Sequence, residues 1–165
     1  YFADIHGGTI RFYIGHKDQH SVSLRVYDAL AKEKEEGFTD IDIYAEFASR
    51  VYQNKKELMK ILLELKRNGN VIWGYGASAK GNTLMNYFGI TNKLIDIIID
   101  DNPKKWGLYT PGSHIKVTGI EKLNNKVDYQ LLLAWNFSSE IMKRCHKVGY
   151  KGKFITPVPK PGIFE

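Results

Sequence analysis

The chain has 165 residues, about one domain at roughly 150 residues per domain, and is 43% hydrophobic and 25% charged. That composition excludes a disordered chain, and its single cysteine excludes an internal disulfide and a cysteine-cluster zinc site. A net charge of +6 with no basic tail gives no nucleic-acid surface, and no apolar stretch approaches the roughly 20 residues that span a bilayer. No nucleic acid, no membrane and a cytoplasmic location are therefore expected, with no signal peptide at the start.

The elements follow in chain order. After the His6-Gly7-Gly8 turn, residues 9–14 alternate through Ile10, Phe12 and Ile14 as a short strand. Residues 21–36 read as a helix with Val22, Val26, Ala29 and Leu30 on one side, stopped by Gly37. Thr39 or Asp40 caps a second, long helix over 41–68, ended by Gly69. Its apolar residues Tyr44, Phe47, Val51, Leu58, Leu62 and Leu65 form one stripe, which predicts core packing, and its length predicts that it crosses a full domain face or contains a break.

After Gly69 the texture changes. Nearly continuous apolar runs at 71–75, 94–99, 130–134 and 154–155, with a shorter one at 114–117, suit strands buried on both faces. Helical candidates at 80–88, 120–123 and 138–148 lie between them. Alternating strands and helices predict a three-layer, Rossmann-like α/β domain with a mainly parallel sheet over 69–156. Residues 1–40 form a strand and helix lead-in, and residues 157–165 a proline-rich extended tail. The whole is one domain. Its first residue is not methionine, and it reads as part of a larger chain.

The main chemical signal is Val71-Ile-Trp-Gly74-Tyr-Gly76-Ala77-Ser78-Ala79-Lys80-Gly81-Asn82, placed after a strand and opening a helix. Gly74 and Gly76 supply a tight turn and close approach, and Ala79 takes the third small position of a dinucleotide fingerprint. The helix start is an anion site, to which Ser78 adds a hydroxyl and Lys80 a charge. The missing Ser or Thr after Lys80 excludes a Walker A loop. Two readings stand at this point: phosphate or nucleotide binding, and tight strand-to-helix packing alone. Under an NAD(P)-dependent oxidoreductase reading, Asp100 at the end of the next strand takes the ribose. A non-catalytic structural or interaction domain is the remaining alternative.

Among the polar residues, Asn136 follows a buried strand run and is a ligand contact or a loop cap, and Trp135 stacks on a base or closes the core. His6 is placed to line a cleft, and Arg11 to meet a diphosphate. No histidine or acid spacing suggests a metal, and Cys145 reads as a small buried hydrophobe.

Several linked segments resemble one family. His6-Gly-Gly-Thr-Ile-Arg11, Gly74-Tyr-Gly-Ala-Ser-Ala-Lys-Gly-Asn-Thr83 with Asn86-Tyr87, Asp100-Asp-Asn-Pro-Lys104, Pro111-Gly-Ser-His114, Leu131-Leu-Leu-Ala-Trp-Asn-Phe137 and Phe154-Ile-Thr-Pro-Val-Pro159 are similar in order and spacing to the C-terminal domain of SAM-dependent nucleotide-sugar C-methyltransferases. Thr9, Ile10 and Asp101 depart from its pattern, Asp101 standing where a basic residue is usual. The resemblance implies a substrate-binding domain that takes a nucleotide-diphosphate deoxysugar. The sites carried over are Gly74, Gly76, Ala77, Ser78, Lys80, Asn82 and Asn136, with His6 and Arg11 as further candidates. It also implies that S-adenosylmethionine, zinc and the catalytic base belong to N-terminal parts of a larger enzyme, the methyltransferase domain being this domain's partner. No cofactor and no activity are then expected of this segment alone.

Overall fold

The computed structural model describes residues 2–3 and 8–165. Two compact units, Tyr1–Tyr52 and Gln53–Glu165, divide within one long helix.

In the first unit, β1 (Phe2–Ala3) pairs antiparallel with β2 (Thr9–Ile10). The strand expected over 9–14 ends at Ile10, and Phe12, Tyr13 and Ile14 beyond it are exposed. Helix α1 (Leu24–Glu35) starts where the Ser23 Oγ accepts the Arg25 N–H at 3.3 Å. It ends before Gly37, whose φ of +81° suits a residue without a Cβ. None of α1 is buried: Leu24, Val26, Tyr27 and Leu30 all face solvent. Asp40 opens α2 (Ile41–Arg67), its Oδ1 accepting the Asp42 N–H at 3.2 Å.

The stripe on α2 divides at the unit boundary. Tyr44 and Phe47 are exposed in the first unit, whereas Leu58, Leu62 and Leu65 are buried in the second. Core packing along the whole stripe is thus corrected to its second half. Periodicity shows that one face is apolar, not what covers it.

The second unit is built on a six-stranded sheet. Its strands are β3 (Ile72–Tyr75), β4 (Ile97–Ile99), β5 (Lys116–Thr118), β6 (Tyr129–Leu132), β7 (Lys153–Thr156) and β8 (Gly162–Phe164). They lie in the order β5-β4-β3-β6-β7-β8, all parallel except β8, which pairs antiparallel with β7. Helices α3 (Ala79–Phe88) and α4 (Ser138–Lys147) and the second half of α2 complete a Rossmann-like three-layer α/β fold. The helix expected over 120–123 is a single 3₁₀ turn at Ile120–Lys122. Beyond the proline-rich run, β8 adds an edge strand.

Alternation along the strands sorts the core. Trp73, Tyr75, Leu132 and Phe154 pack with Ile141 and Cys145 of α4 and with Tyr150. The Tyr150 and Phe154 rings meet edge to face, with centroids 5.3 Å apart. On α2, Lys55 donates to the Tyr87 carbonyl at 2.8 Å and Lys66 pairs with Asp96 at 3.2 Å, fixing the helix to the carboxyl end of α3 and to the approach to β4.

Chain order places the switch point of the sheet. From β3 the chain moves outward to β4 and β5, then crosses back to β6 on the other side of β3. In such sheets a crevice opens beyond the carboxyl ends of the two strands that flank the reversal. Here those strands are β3 and β6.

Two predictions follow from the core. Gln130 in β6 lies in register with Trp73 and Phe154, is fully buried, and has no partner for either amide atom. An unsatisfied buried polar group costs about 1–3 kcal/mol, so Gln130→Met should raise the urea midpoint at unchanged slope; a lower midpoint refutes this. Burial pushes the Cys145 thiol from 9.0 up to about 12 and also raises the Tyr75 and Tyr150 phenols. Above the thiol's ordinary range the unfolded chain releases protons that the folded chain keeps. Stability is therefore intact below about pH 9 and falls as pH rises from there toward 12, which denaturant titrations at stepped pH would measure.

Candidate functional site

The turn between β3 and α3 is built by close approach. Gly76 has φ of +97°, and a Cβ there would lie 2.6 Å from the Ala134 Cβ. Only glycine lets the turn pass so near the exit of β6. The contact is reinforced by the Tyr75 carbonyl, which accepts N–H groups from Leu133 at 2.8 Å and Ala134 at 3.2 Å. The Gly76 N–H donates to the Ile99 carbonyl at 2.7 Å, so the turn is fastened to β4 on one side and β6 on the other.

Ser78 caps α3. Its Oγ accepts the Gly81 N–H at 3.0 Å and donates to the Leu133 carbonyl at 3.3 Å, while its carbonyl accepts the Asn82 N–H at 2.9 Å. Ala79, the first residue of α3, has an N–H with no intrahelical acceptor, and the helix dipole stands behind it. Close packing of α3 against the exit of β6 is the work of Gly81 rather than of Ala79, the residue at the third small position of the fingerprint. A Cβ at Gly81 would lie 2.8 Å from the Leu133 Cβ, whereas Ala79 is exposed. The signal for Gly81 was present in the sequence, as a glycine inside a helix that costs about 1 kcal/mol against alanine.

Asp100 holds the turn from below. It is 7% exposed. Its Oδ2 accepts the Ala77 N–H at 2.8 Å and the Lys105 ammonium at 2.9 Å, and its Oδ1 accepts the Asn102 N–H at 2.9 Å. Lys105 also donates to the Ala77 carbonyl at 2.9 Å. The side chain expected to take a ribose in the dinucleotide reading is thus engaged by three donors of its own chain.

The neighbouring acid faces another element. The Tyr75 hydroxyl donates to Asp101 Oδ1 at 2.7 Å, and Arg144 of α4 binds the other oxygen. Burial and this carboxylate raise the Tyr75 pKa, and the same carboxylate raises that of Arg144. The departure of Asp101 from the usual basic residue therefore has a structural role: it ties α4 to the end of β4.

The remaining sequence candidates are distributed as follows. Gly74 is inside the core, where a Cβ would lie 2.9 Å from Ile98 Cγ1. Ala77 has both backbone groups taken by Asp100 and Lys105, and the Ser78 hydroxyl serves as the cap. Lys80 is exposed on the first turn of α3. Asn82 carries a buried Oδ1 with no partner, on the next turn of the helix. Asn136 is exposed in the 3₁₀ turn Trp135–Phe137 that leaves β6, beside the half-buried Trp135. Gly76, Ser78, Ala79 and the exit of β6 are thus brought together. Arg11 belongs to the first unit and is exposed, and His6 lies outside the described residues.

The Pro111-Gly-Ser-His114 segment forms a loop against α3. Asn86 donates its amide to the Pro111 carbonyl at 3.1 Å, and a Cβ at Gly112 (φ +76°) would collide with that amide. Separately, a depression of about 390 Å³ lies at the amino ends of β3, β6 and β7, lined by Asn70, Asp128, Lys151 and Lys153 among others. It is at the opposite end of the strands from the glycine turn. Among the described residues no group of three or more His, Cys, Asp or Glu is placed to hold a metal ion, and no helix is long and apolar enough to cross a membrane.

Comparison with known proteins accounts for the motifs. Residues 4–159 match the C-methyltransferase C-terminal domain family. The C-methyltransferase NovU of Streptomyces niveus is 32% identical over 166 residues, covering 99% of this chain and 40% of that relative. The chain therefore spans about two-fifths of the length of the curated relative it matches. A match over nearly every residue, on a Rossmann-like fold with the mainly parallel sheet that was expected, places the chain in the family of C-methyltransferase C-terminal domains.

Proposed function

We propose that this domain binds the nucleotide-diphosphate end of a deoxysugar substrate in a SAM-dependent sugar C-methyltransferase. The observation that carries the reading is the braced glycine turn at the switch point, opening the capped helix α3 within a member of this family. A diphosphate there meets the Ala79 N–H and the dipole of the α3 N-terminus, with Lys80 on the same turn. The sugar then extends past the exit of β6, toward Asn136. Such contacts to a non-reacting part of the substrate supply binding energy and orientation for chemistry carried out elsewhere.

The residues here do not fit S-adenosylmethionine. Its ribose hydroxyls call for an available carboxylate at the end of the second strand, and Asp100 is already engaged by Ala77, Asn102 and Lys105. The same engagement weighs against the NAD(P) reading. Nor does the single, buried Cys145 suit zinc. The methyl donor, the zinc module and the catalytic base are assigned to the N-terminal remainder of the protein, the methyltransferase domain being this domain's partner. The exposed apolar residues of α1 and of the first half of α2 (Leu24, Tyr27, Leu30, Ile41, Phe47) support an interaction role for the first unit.

Thymidine diphosphate and a thymidine-diphosphate sugar should each bind the protein saturably in calorimetry. Ala79→Glu separates binding from folding, because a carboxylate at the first position of α3 favours the helix by about 0.3–1 kcal/mol yet repels a diphosphate. The expected result is an unchanged or higher urea midpoint with affinity lowered at least about tenfold. Saturable binding that Ala79→Glu leaves intact would move the diphosphate away from this turn.

A further inference from the structure

Large aromatic side chains usually bury most of their area. Trp106 does not: it is 41% exposed while its indole edge is fixed. The Nε1–H donates to the Asp100 carbonyl at 2.7 Å. A Cβ at Gly119 would lie 2.6 Å from ring atom Cζ2, so the glycine gives the ring its place. The backbone is set as well. Trp106 closes the 3₁₀ turn Pro103–Lys105, its N–H donating to the Pro103 carbonyl at 3.1 Å, and Asn102 caps that turn. One edge of the indole is thus turned into the protein, and the rest stands in solvent without freedom to swing.

The placement of this ring relative to the glycine turn is also set. Asp100 holds the indole with its backbone oxygen and the Ala77 N–H with its carboxylate. Lys105, the residue before Trp106, binds that carboxylate and the Ala77 carbonyl together. Trp106, Lys105 and the turn form one hydrogen-bonded unit. Asp100 follows β4 and Gly119 follows β5, so the ring lies one to two strands from β3, about 5–10 Å at the usual strand spacing. That separation matches the reach of a nucleoside from its phosphate to its base.

We propose that Trp106 is the stacking platform for the nucleobase of the bound nucleotide. This rests on the nucleotide-sugar reading above and adds an orientation to it. The base lies toward β5, the diphosphate at the α3 N-terminus, and the sugar on the β6 side at residues 134–136. Stacking on an indole suits any base, because every base has a π face. Trp106 therefore supplies affinity for the nucleoside, and discrimination among bases falls to other groups.

Calorimetry with thymidine diphosphate and inorganic pyrophosphate on wild type, Trp106→Ala, Trp106→Phe and Ala79→Glu tests this. Trp106→Ala should weaken thymidine diphosphate about 10- to 100-fold and leave pyrophosphate unchanged. Trp106→Phe, which keeps an aromatic face but loses the indole N–H, should stay within a few-fold of wild type. Thymidine diphosphate should also quench wild-type tryptophan emission, and Trp106→Phe should lose that quenching while still binding. Equal losses in both Trp106 variants, or a parallel loss for pyrophosphate, would make the residue a structural prop and overturn the proposal. Unchanged affinity in Trp106→Ala, with binding still lost in Ala79→Glu, would overturn it and leave the nucleotide reading standing. Absence of thymidine diphosphate binding to wild type would remove both.

Discussion

A buried carboxylate is expensive unless it is paired and hydrogen-bonded. Asp100 meets both conditions, and the glycine turn depends on the way it does so. Its three donors come from the turn itself, from Asn102 at the start of the following loop and from Lys105, three residues beyond that start. Glycines make a turn possible but leave it many conformations. The Asp100–Lys105 pair, which takes both the N–H and the carbonyl of Ala77, selects one of them. For the proposed diphosphate, a backbone fixed in advance loses little entropy on binding. What the dinucleotide fingerprint uses as a ribose contact is here spent on preorganisation.

This substitution of roles marks the boundary of what was legible in the residues. Continuous apolar runs gave the parallel strands because burial on both faces leaves a one-dimensional trace. The glycine turn was legible for a similar reason, since few backbones other than a strand-to-helix turn require Gly74, Gly76 and a hydroxyl cap in succession. The destination of a side chain leaves no such trace. Asp100 reads the same whether it binds a ribose or braces a loop, and Trp106 the same whether it is core or platform. The apolar stripe of α2 is continuous in sequence, yet Phe47 in the first unit is exposed and Leu58 in the second is buried. The edge strand β8 was hidden by the prolines before it, and at three residues it has too little pattern to detect.

The two units also divide in how they treat apolar surface. The second has a closed core around its sheet, with Leu58, Ile72, Met85, Leu131 and Phe154 all fully buried. The first leaves Phe12, Tyr13, Ile14, Leu24 and Ile41 in solvent. The proposed function asks for both properties: a rigid crevice for the ligand, which suits the closed core of the second unit, and an apolar surface for a partner, which suits the open faces of the first.

The dipeptide after β4 bears on the rigidity of that crevice. Successive side chains at a strand end point to opposite faces, so Asp100 and Asp101 reach toward different layers. Asp100 holds the turn that opens α3, and Asp101 holds Arg144 on α4 and the Tyr75 hydroxyl on β3. The two helices on opposite faces of the sheet are therefore referred to one point, and Ala134, pressed against Gly76, refers the exit of β6 to it as well. With the indole of Trp106 on the Asp100 carbonyl, the proposed positions for phosphate, base and sugar are all measured from the same two residues. A basic residue at position 101 would lose both the Tyr75 and the Arg144 contacts, which is a physical reason for this chain to depart there from the pattern its other motifs follow.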